Sequence, residues 1–120
     1  MLNLDTHVVV ALLDGSLSAE ETALVSAERL AISPVVFWEL AKLVQLKRLE
    51  MDFDSPEFRE FLRHVMVVPI TFEIARKSTE LDFCSDPADE IIAATSVVEE
   101  IPLLTRDRRL LKSRMVPLAV

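Results

Sequence analysis

"LNLDTHVVVALLDG", residues 2–15, decides the fold class. "LNLDT" reads as a short buried strand that ends in Asp5, and "HVVVALLD" continues as a helix that stops at Gly15, the one residue free to take a left-handed cap. The unit then repeats. "SAEETALVSAERL" opens with Ser18 and Glu21 as a capping box, and "LAIS" reads as a second strand running into Pro34 at a helix start. "PVVFWELAKLVQLKR" has helical spacing, "SPEFREFLRH" starts a helix with Ser55 and Pro56, and "VMVVPI" is a continuous apolar run of the kind that fills a strand covered on both faces. "TFEIARKSTELDF" and "DPADEIIAAT" read as further helices, "IPLLT" as a buried strand, "RDRRLLKS" as a short helix and "MVPLAV" as a terminal strand. Strands alternating with helices predict an α/β fold with a central parallel sheet flanked by helices. Such sheets bind ligands outside the carboxyl ends of their strands, where the strand order reverses, so acids at strand ends draw notice.

Composition narrows the function. A chain of 120 residues, 51% hydrophobic and without low-complexity stretches, predicts one domain over residues 1–120 with a core that needs no staples. The aliphatic runs are too short to span a bilayer and "MLNLD" lacks the basic start of a signal peptide, so a cytoplasmic protein with no membrane partner is expected. Cys84 stands alone and reads as a small buried hydrophobe. His7 and His64 are far apart and supply no zinc-site spacing; His64 near a helix end complements the dipole. With Gly15 as the sole glycine, the glycine-rich phosphate loops of nucleotide-binding folds are excluded. A net charge of −7 argues against gripping nucleic acid by bulk electrostatics, although "RDRRLLKSR" (106–114) gathers five of the thirteen basic residues.

Four acids stand at comparable places. Asp5 closes the first strand, Glu39 lies in the helix after the second, Asp89 opens a helix, and Asp107 follows "LLT". Capping alone accounts for Asp5 and for Asp107. Glu39 resists that reading: Val35, Leu43 and Leu46 at minus four, plus four and plus seven put it on the apolar side of its helix. A carboxylate buried there needs a partner, most commonly a basic side chain, otherwise a hydrogen-bond network or a metal. In "FCSDPADEIIAAT" (83–95), Asp86 reads as the N-cap before Pro87, while Asp89 faces the small residues Ala93 and Ser96, which predicts room for something bound. If the four acids converge, their repulsion calls for protons or a cation, and an all-oxygen site suits Mg²⁺ or Mn²⁺.

Taken in order, "LDTHVVVALL", "ISPVVFWELAKL", "DPADEIIAAT" and "LLTRDRRL" resemble the motifs of PIN-domain ribonucleases, specifically the VapC-type toxins of bacterial and archaeal toxin–antitoxin pairs. The resemblance runs nearly the whole chain. It implies a three-layer PIN-like domain and a catalytic metal site for Mg²⁺ or Mn²⁺ built from Asp5, Glu39, Asp89 and Asp107, with Thr6 and Thr105 as supporting hydroxyls. It further implies metal-dependent endonucleolytic hydrolysis of RNA, a homodimer, and a cognate antitoxin that blocks the site and covers an apolar groove, for which "VVVALL" and "FWEL" supply candidate surface. Arg106, Arg108 and Arg109 are expected to contact RNA phosphates, since cations at a helix start oppose the dipole. Two departures stand out. The family often has Arg after the third acid, where this chain has Glu90, and the histidine often found before the "DP" motif is absent from the region of Cys84 and Ser85.

Other readings compete. A receiver domain wants paired acids after its first strand and an aspartate after its third; here Asp5 is single and "VMVVPIT" leads to none. A non-catalytic α/β binding module, with the acids as caps and salt bridges, and a DNA- or structure-specific nuclease of the same chemistry remain as alternatives.

Overall fold

Four strands and seven helices alternate along residues 1–119, the part of the chain that the computed structural model describes. β1 (Leu2–Leu4) leads to α1 (Thr6–Asp14) and α2 (Ala19–Ala27), and β2 (Leu30–Ile32) to α3 (Val35–Gln45) and α4 (Pro56–His64). β3 (Met66–Val67) leads to α5 (Phe72–Lys77) and α6 (Pro87–Glu99), and β4 (Leu103–Leu104) to α7 (Arg108–Leu111). The sheet is parallel with order β3-β2-β1-β4; Leu2 lies opposite Leu30, Asn3 opposite Leu103, and Ala31 opposite Met66. β2 and β3 build to one side of β1 and β4 to the other, so the order reverses at β1. Beyond the carboxyl ends of β1 and β4 such a sheet leaves a crevice.

The local signals fold as their chemistry dictates. Gly15 closes α1 with φ 77° and donates its N–H to the carbonyl of Ala11. Ser18 and Glu21 form the reciprocal capping box of α2, and Ser55 and Thr71 accept from the N–H groups of Phe58 and Ile74 to start α4 and α5. At α3, Pro34 occupies the cap position rather than the first turn. Ser33 supplies the side-chain oxygen there, accepting from the Val35 N–H at 3.3 Å.

The core forms around β1. Leu2, Leu4, Val8, Val9, Ile32, Val36, Leu40, Ile92, Leu103 and Leu104 are buried together and joined from α4 by Phe58 and Phe61. Burying each large apolar side chain contributes about 1.5–3 kcal/mol before ordering entropy is counted. Ala31, next to Ile32, belongs instead to a smaller cluster with Val68, Ile74, Ala94 and Ile101, as expected where successive strand residues point to opposite faces. α6 packs against both α3 and α5. Asn3, buried in the middle of β1, ties that strand to α6: its Nδ2 donates to the Ile92 carbonyl at 3.2 Å and to Ser96 Oγ at 2.9 Å.

Three expectations need correction. "VMVVPI" forms only the two-residue β3 at the sheet edge, with Met66 38% and Val67 40% exposed, because it pairs with β2 alone. Cys84 is exposed rather than buried. "MVPLAV" pairs through a single parallel bridge between Leu118 and Leu103, and its last residue, Val120, lies outside the described residues. Among the described residues no helix is long and apolar enough to cross a membrane.

Candidate active site

The sequence-predicted acids come from four separate elements. Asp5 follows β1 as the N-cap of α1, Glu39 lies one turn into α3, Asp89 in the first turn of α6, and Asp107 caps α7 after β4. Asp5 is 1% exposed and both its oxygens are engaged. Oδ1 accepts from the Thr6 N–H at 2.8 Å, and Oδ2 accepts from the Thr105 hydroxyl at 2.6 Å across the crevice between β1 and β4. Thr105 also accepts, from the Asp107 N–H at 3.0 Å, so one buried hydroxyl orders both ends of the crevice.

Glu39 is half-buried, and its partner is the hydroxyl of Thr6, which donates to Oε1. The basic side chain expected beside it is not there: among the described residues no ion pair reaches Asp5, Glu39 or Asp89. Val36 and Leu40 are the buried residues of α3, so Glu39 sits on the flank of the apolar stripe, between core and crevice. Asp89 is half-buried and its Oδ2 accepts from the Ser85 hydroxyl at 2.9 Å. The room predicted beside Ala93 and Ser96 is taken up by Asn3, and that close packing of α6 onto β1 carries Asp89 to the carboxyl end of the sheet. Asp86 stands at the N-cap of α6 with extended backbone, but its side chain makes no cap hydrogen bond, contrary to expectation.

The acids influence one another electrostatically. Burial holds the carboxyls of Asp5, Glu39 and Asp89 above the usual carboxylate range, because the charged form is poorly solvated there. Neighbouring negative charges add to the effect: Asp107 acts on Asp5, Asp89 and Asp5 act on Glu39, and Asp5, Asp107 and Asp86 act on Asp89. The hydrogen bonds from Thr105, Thr6 and Ser85 oppose it, as does the exposed His7, whose charge favours ionised Asp5 and Glu39. Asp107 has a local partner as well, accepting from the Arg109 N–H at 2.8 Å, so its capping role is real.

Among the described residues no three carboxylate, imidazole or thiol groups are drawn into a finished ligand set. That separation accords with mutual repulsion among uncompensated acids. The donor chemistry still fits a hard divalent cation, which takes one or two carboxylates and keeps several waters.

The basic residues divide. Arg106 is held by Glu21, with Nε to Oε2 at 2.8 Å and a terminal nitrogen to Oε1 at 2.7 Å, and it donates to the Ser16 carbonyl at 3.3 Å. This guanidinium ties the α1–α2 connection to the loop after β4 and is not free for a phosphate, contrary to expectation. Arg108 and Arg109 are exposed and outside any ion pair among the described residues. The reading of the sequence left Ser85, Asn3 and His7 without a role at the site. A polar residue inside an apolar strand and a hydroxyl four positions before an acid were the signals for the first two.

Comparison with known proteins bears on the family and the fold. A family model described as PIN domain matches residues 3–114. Ribonuclease VapC22 of Mycobacterium tuberculosis is 32% identical over 99 residues, covering 80% of this chain and 76% of the relative. Among solved structures, VapBC2 from Rickettsia felis, bound to a DNA fragment from its promoter, aligns with a TM-score of 0.74 at 17% identity over 98% of this chain and 97% of that one. FitAcB from Neisseria gonorrhoeae gives a TM-score of 0.70 at 18% identity over 98% and 96%. A toxin–antitoxin complex from Klebsiella pneumoniae gives 0.67 at 23% identity over 93% and 91%. At such identities the structures speak to the fold, while the family model and the mycobacterial relative speak to descent: the chain belongs to the PIN domain family, among its VapC-type members.

Proposed function

We propose that the protein is the toxin of a toxin–antitoxin pair, a divalent-metal-dependent endoribonuclease that hydrolyses RNA phosphodiester bonds at Asp5, Glu39 and Asp89, with Asp107 at the edge of the site. The observation that carries this reading is the set of acids at the reversal point of the sheet. Asp5, Glu39 and Asp89 accept hydrogen bonds from the hydroxyls of Thr105, Thr6 and Ser85 in place of basic partners among the described residues, and burial holds these three carboxyls above the usual range. A binding module that used acids only as caps and salt bridges has no reason to leave three buried or half-buried carboxylates without basic partners among the described residues. The name of the mycobacterial relative, a ribonuclease, supports RNA as the substrate.

Asp5, Glu39 and Asp89 would hold Mg²⁺ or Mn²⁺. When bound, such an ion supplies a water activated at neutral pH and stabilises charge on the scissile phosphate. Thr105 and Thr6 orient the carboxylates of Asp5 and Glu39, and Arg108 and Arg109 bind phosphates of the strand beside the site. A cognate antitoxin has apolar surface to cover: Trp38 of α3 is 58% exposed and Leu46, just after that helix, 57%, and a hollow of about 310 Å³ is lined by Phe37, Leu40, Ala41, Phe53, Phe58 and Leu62. A homodimer is the expected assembly of the free toxin.

The test is cleavage of a mixed RNA and DNA panel by antitoxin-free protein in Mg²⁺ or Mn²⁺, with and without chelator, beside Asp89→Asn. Metal-dependent RNA cuts that vanish in the variant support the reading. Equal cutting of DNA moves the substrate to nucleic acid in general, and folded but inert protein across the panel favours the binding module.

A further inference from the structure

The start of α6 lacks the reciprocal capping box that opens α2. At α2 the cap residue and the third helical residue satisfy each other, Ser18 with Glu21. In α6 the cap residue is Asp86 and the third is Asp89, yet Asp86 makes no side-chain cap bond and Asp89 does not turn back to the cap. Ser85, the residue before the cap, engages the acids of the first turn instead. Its hydroxyl donates to Asp89 Oδ2 at 2.9 Å, and its N–H donates to Glu90 Oε2 at 3.3 Å. Two acids adjacent in sequence are thereby pinned by one serine, and the carboxylate of Glu90 is turned back onto the Ser85 backbone.

This matters for the site because Asp89 is half-buried, has no basic partner among the described residues, and is repelled by Asp5, Asp107 and Asp86. An aspartate so placed has several rotamers that relieve the repulsion by swinging toward solvent. The Ser85 hydroxyl removes that freedom by holding one oxygen. Among the described residues the other oxygen, Oδ1, has no hydrogen-bond partner and so keeps its lone pairs for a ligand. We propose that Ser85 is a positioning residue that presents Asp89 to a divalent cation while its backbone amide holds Glu90 aside. This inference rests on the reading of the acids as a metal site, and it adds to that reading a residue outside the four acids and their threonines.

Outer hydrogen bonds of this kind typically change metal affinity by about 10–100-fold when removed. The experiment is calorimetric titration of Mn²⁺ into the whole antitoxin-free chain and into Ser85→Ala, Ser85→Thr and Asp89→Asn, with a melting curve of each in the absence of metal. The expected result is a Kd raised about tenfold in Ser85→Ala with an unchanged metal-free melting temperature, and affinity restored in Ser85→Thr, which keeps the hydroxyl. Ser85→Ala binding Mn²⁺ as tightly as the unsubstituted protein, while Asp89→Asn binds poorly, overturns the role of Ser85 and leaves the metal site standing. Loss of affinity in Ser85→Thr equal to that in Ser85→Ala also overturns it, since the hydroxyl is then irrelevant. No Mn²⁺ binding by the unsubstituted protein overturns the metal site and this proposal together.

Discussion

Replacing Thr105 by valine removes one hydroxyl and keeps the shape of the side chain. That hydroxyl is 4% exposed at the residue level, donates to the buried Asp5 carboxylate at 2.6 Å and accepts from the Asp107 N–H at 3.0 Å. A hydrogen bond to a charged group is worth about 1.5–3 kcal/mol and one between neutral groups about 0.5–1.5 kcal/mol. The variant is therefore expected to lose about 2–4 kcal/mol at neutral pH. An unfolding entropy of roughly 250 cal/mol/K for a chain of 120 residues converts this into a fall in melting temperature of roughly 8–16 °C. Thr105→Ser, which retains donor and acceptor, should recover most of it. The sign of the pH dependence follows from Asp5. Burial holds its carboxyl above the usual range and the Thr105 bond opposes that shift, so the variant's Asp5 has a still higher folded pKa. The bond favours the ionised form, so its contribution is full above the folded pKa and fades as pH falls through it; the gap between threonine and valine should narrow in acid. Thermal melts of the three proteins in chelator across a pH series provide the assay. A valine variant within about 0.5 kcal/mol of the parent at neutral pH, the ordinary scatter of an inconsequential substitution, would refute the view that Thr105 holds Asp5 in place.

Three further outcomes are expected. Asp89→Asn should melt higher than the parent in metal-free buffer at neutral pH: the folded pKa of Asp89 is raised, so its ionisation destabilises the fold as pH rises through the unfolded and then the folded value. The advantage should disappear in acid, and Mn²⁺ should raise the melting temperature of the parent but not of the variant; a variant that melts lower at neutral pH contradicts the repulsion. Glu21→Gln should cost about 1 kcal/mol or less. Glu21 is held down to about 2 by Arg106, so the difference should be present above pH 4.5 and lost as pH falls toward about 2; a pH-independent difference in melting temperature would argue against the ion pair. Neutralising Arg108 and Arg109 together should weaken single-stranded RNA binding and lower its log–log salt slope by about 0.7 per cation, whereas an unchanged slope removes them from the interface.

What the sequence made legible is what is decided locally. The starts of α2 and α4, the stop at Gly15 and the alternation of strands with helices rest on contacts within a few residues, and each folds as read. Asp5, Asp89 and Asp107 were visible because each sits beside an element boundary, and Glu39 because it stands on the apolar side of its helix. Whether they share one site depends on strand order, and there the resemblance to PIN-domain ribonucleases carried the inference. Long-range partners were beyond reach for the same reason. Glu21 lies 85 positions from Arg106 and takes up a guanidinium that its basic neighbours made look free. Thr6 meets Glu39 across 33 positions, where a cation was expected. The "VMVVPI" run fails differently: its composition matches a buried strand, but burial belongs to the position in the sheet, and β3 is at the edge. Asn3 reads as an oddity in an apolar strand until α6 lies over it, with the Ser96 hydroxyl at 2.9 Å.

Asp5, Glu39 and Asp89 are proposed to hold a divalent cation together. Crystals of the antitoxin-free protein soaked in Mn²⁺ and measured for anomalous scattering test it most directly. A peak is expected in the crevice beyond β1 and β4, within coordination distance of carboxylate oxygens from at least two of the three acids. A well-ordered crevice with no peak at saturating Mn²⁺, or a peak only elsewhere on the surface, would contradict it.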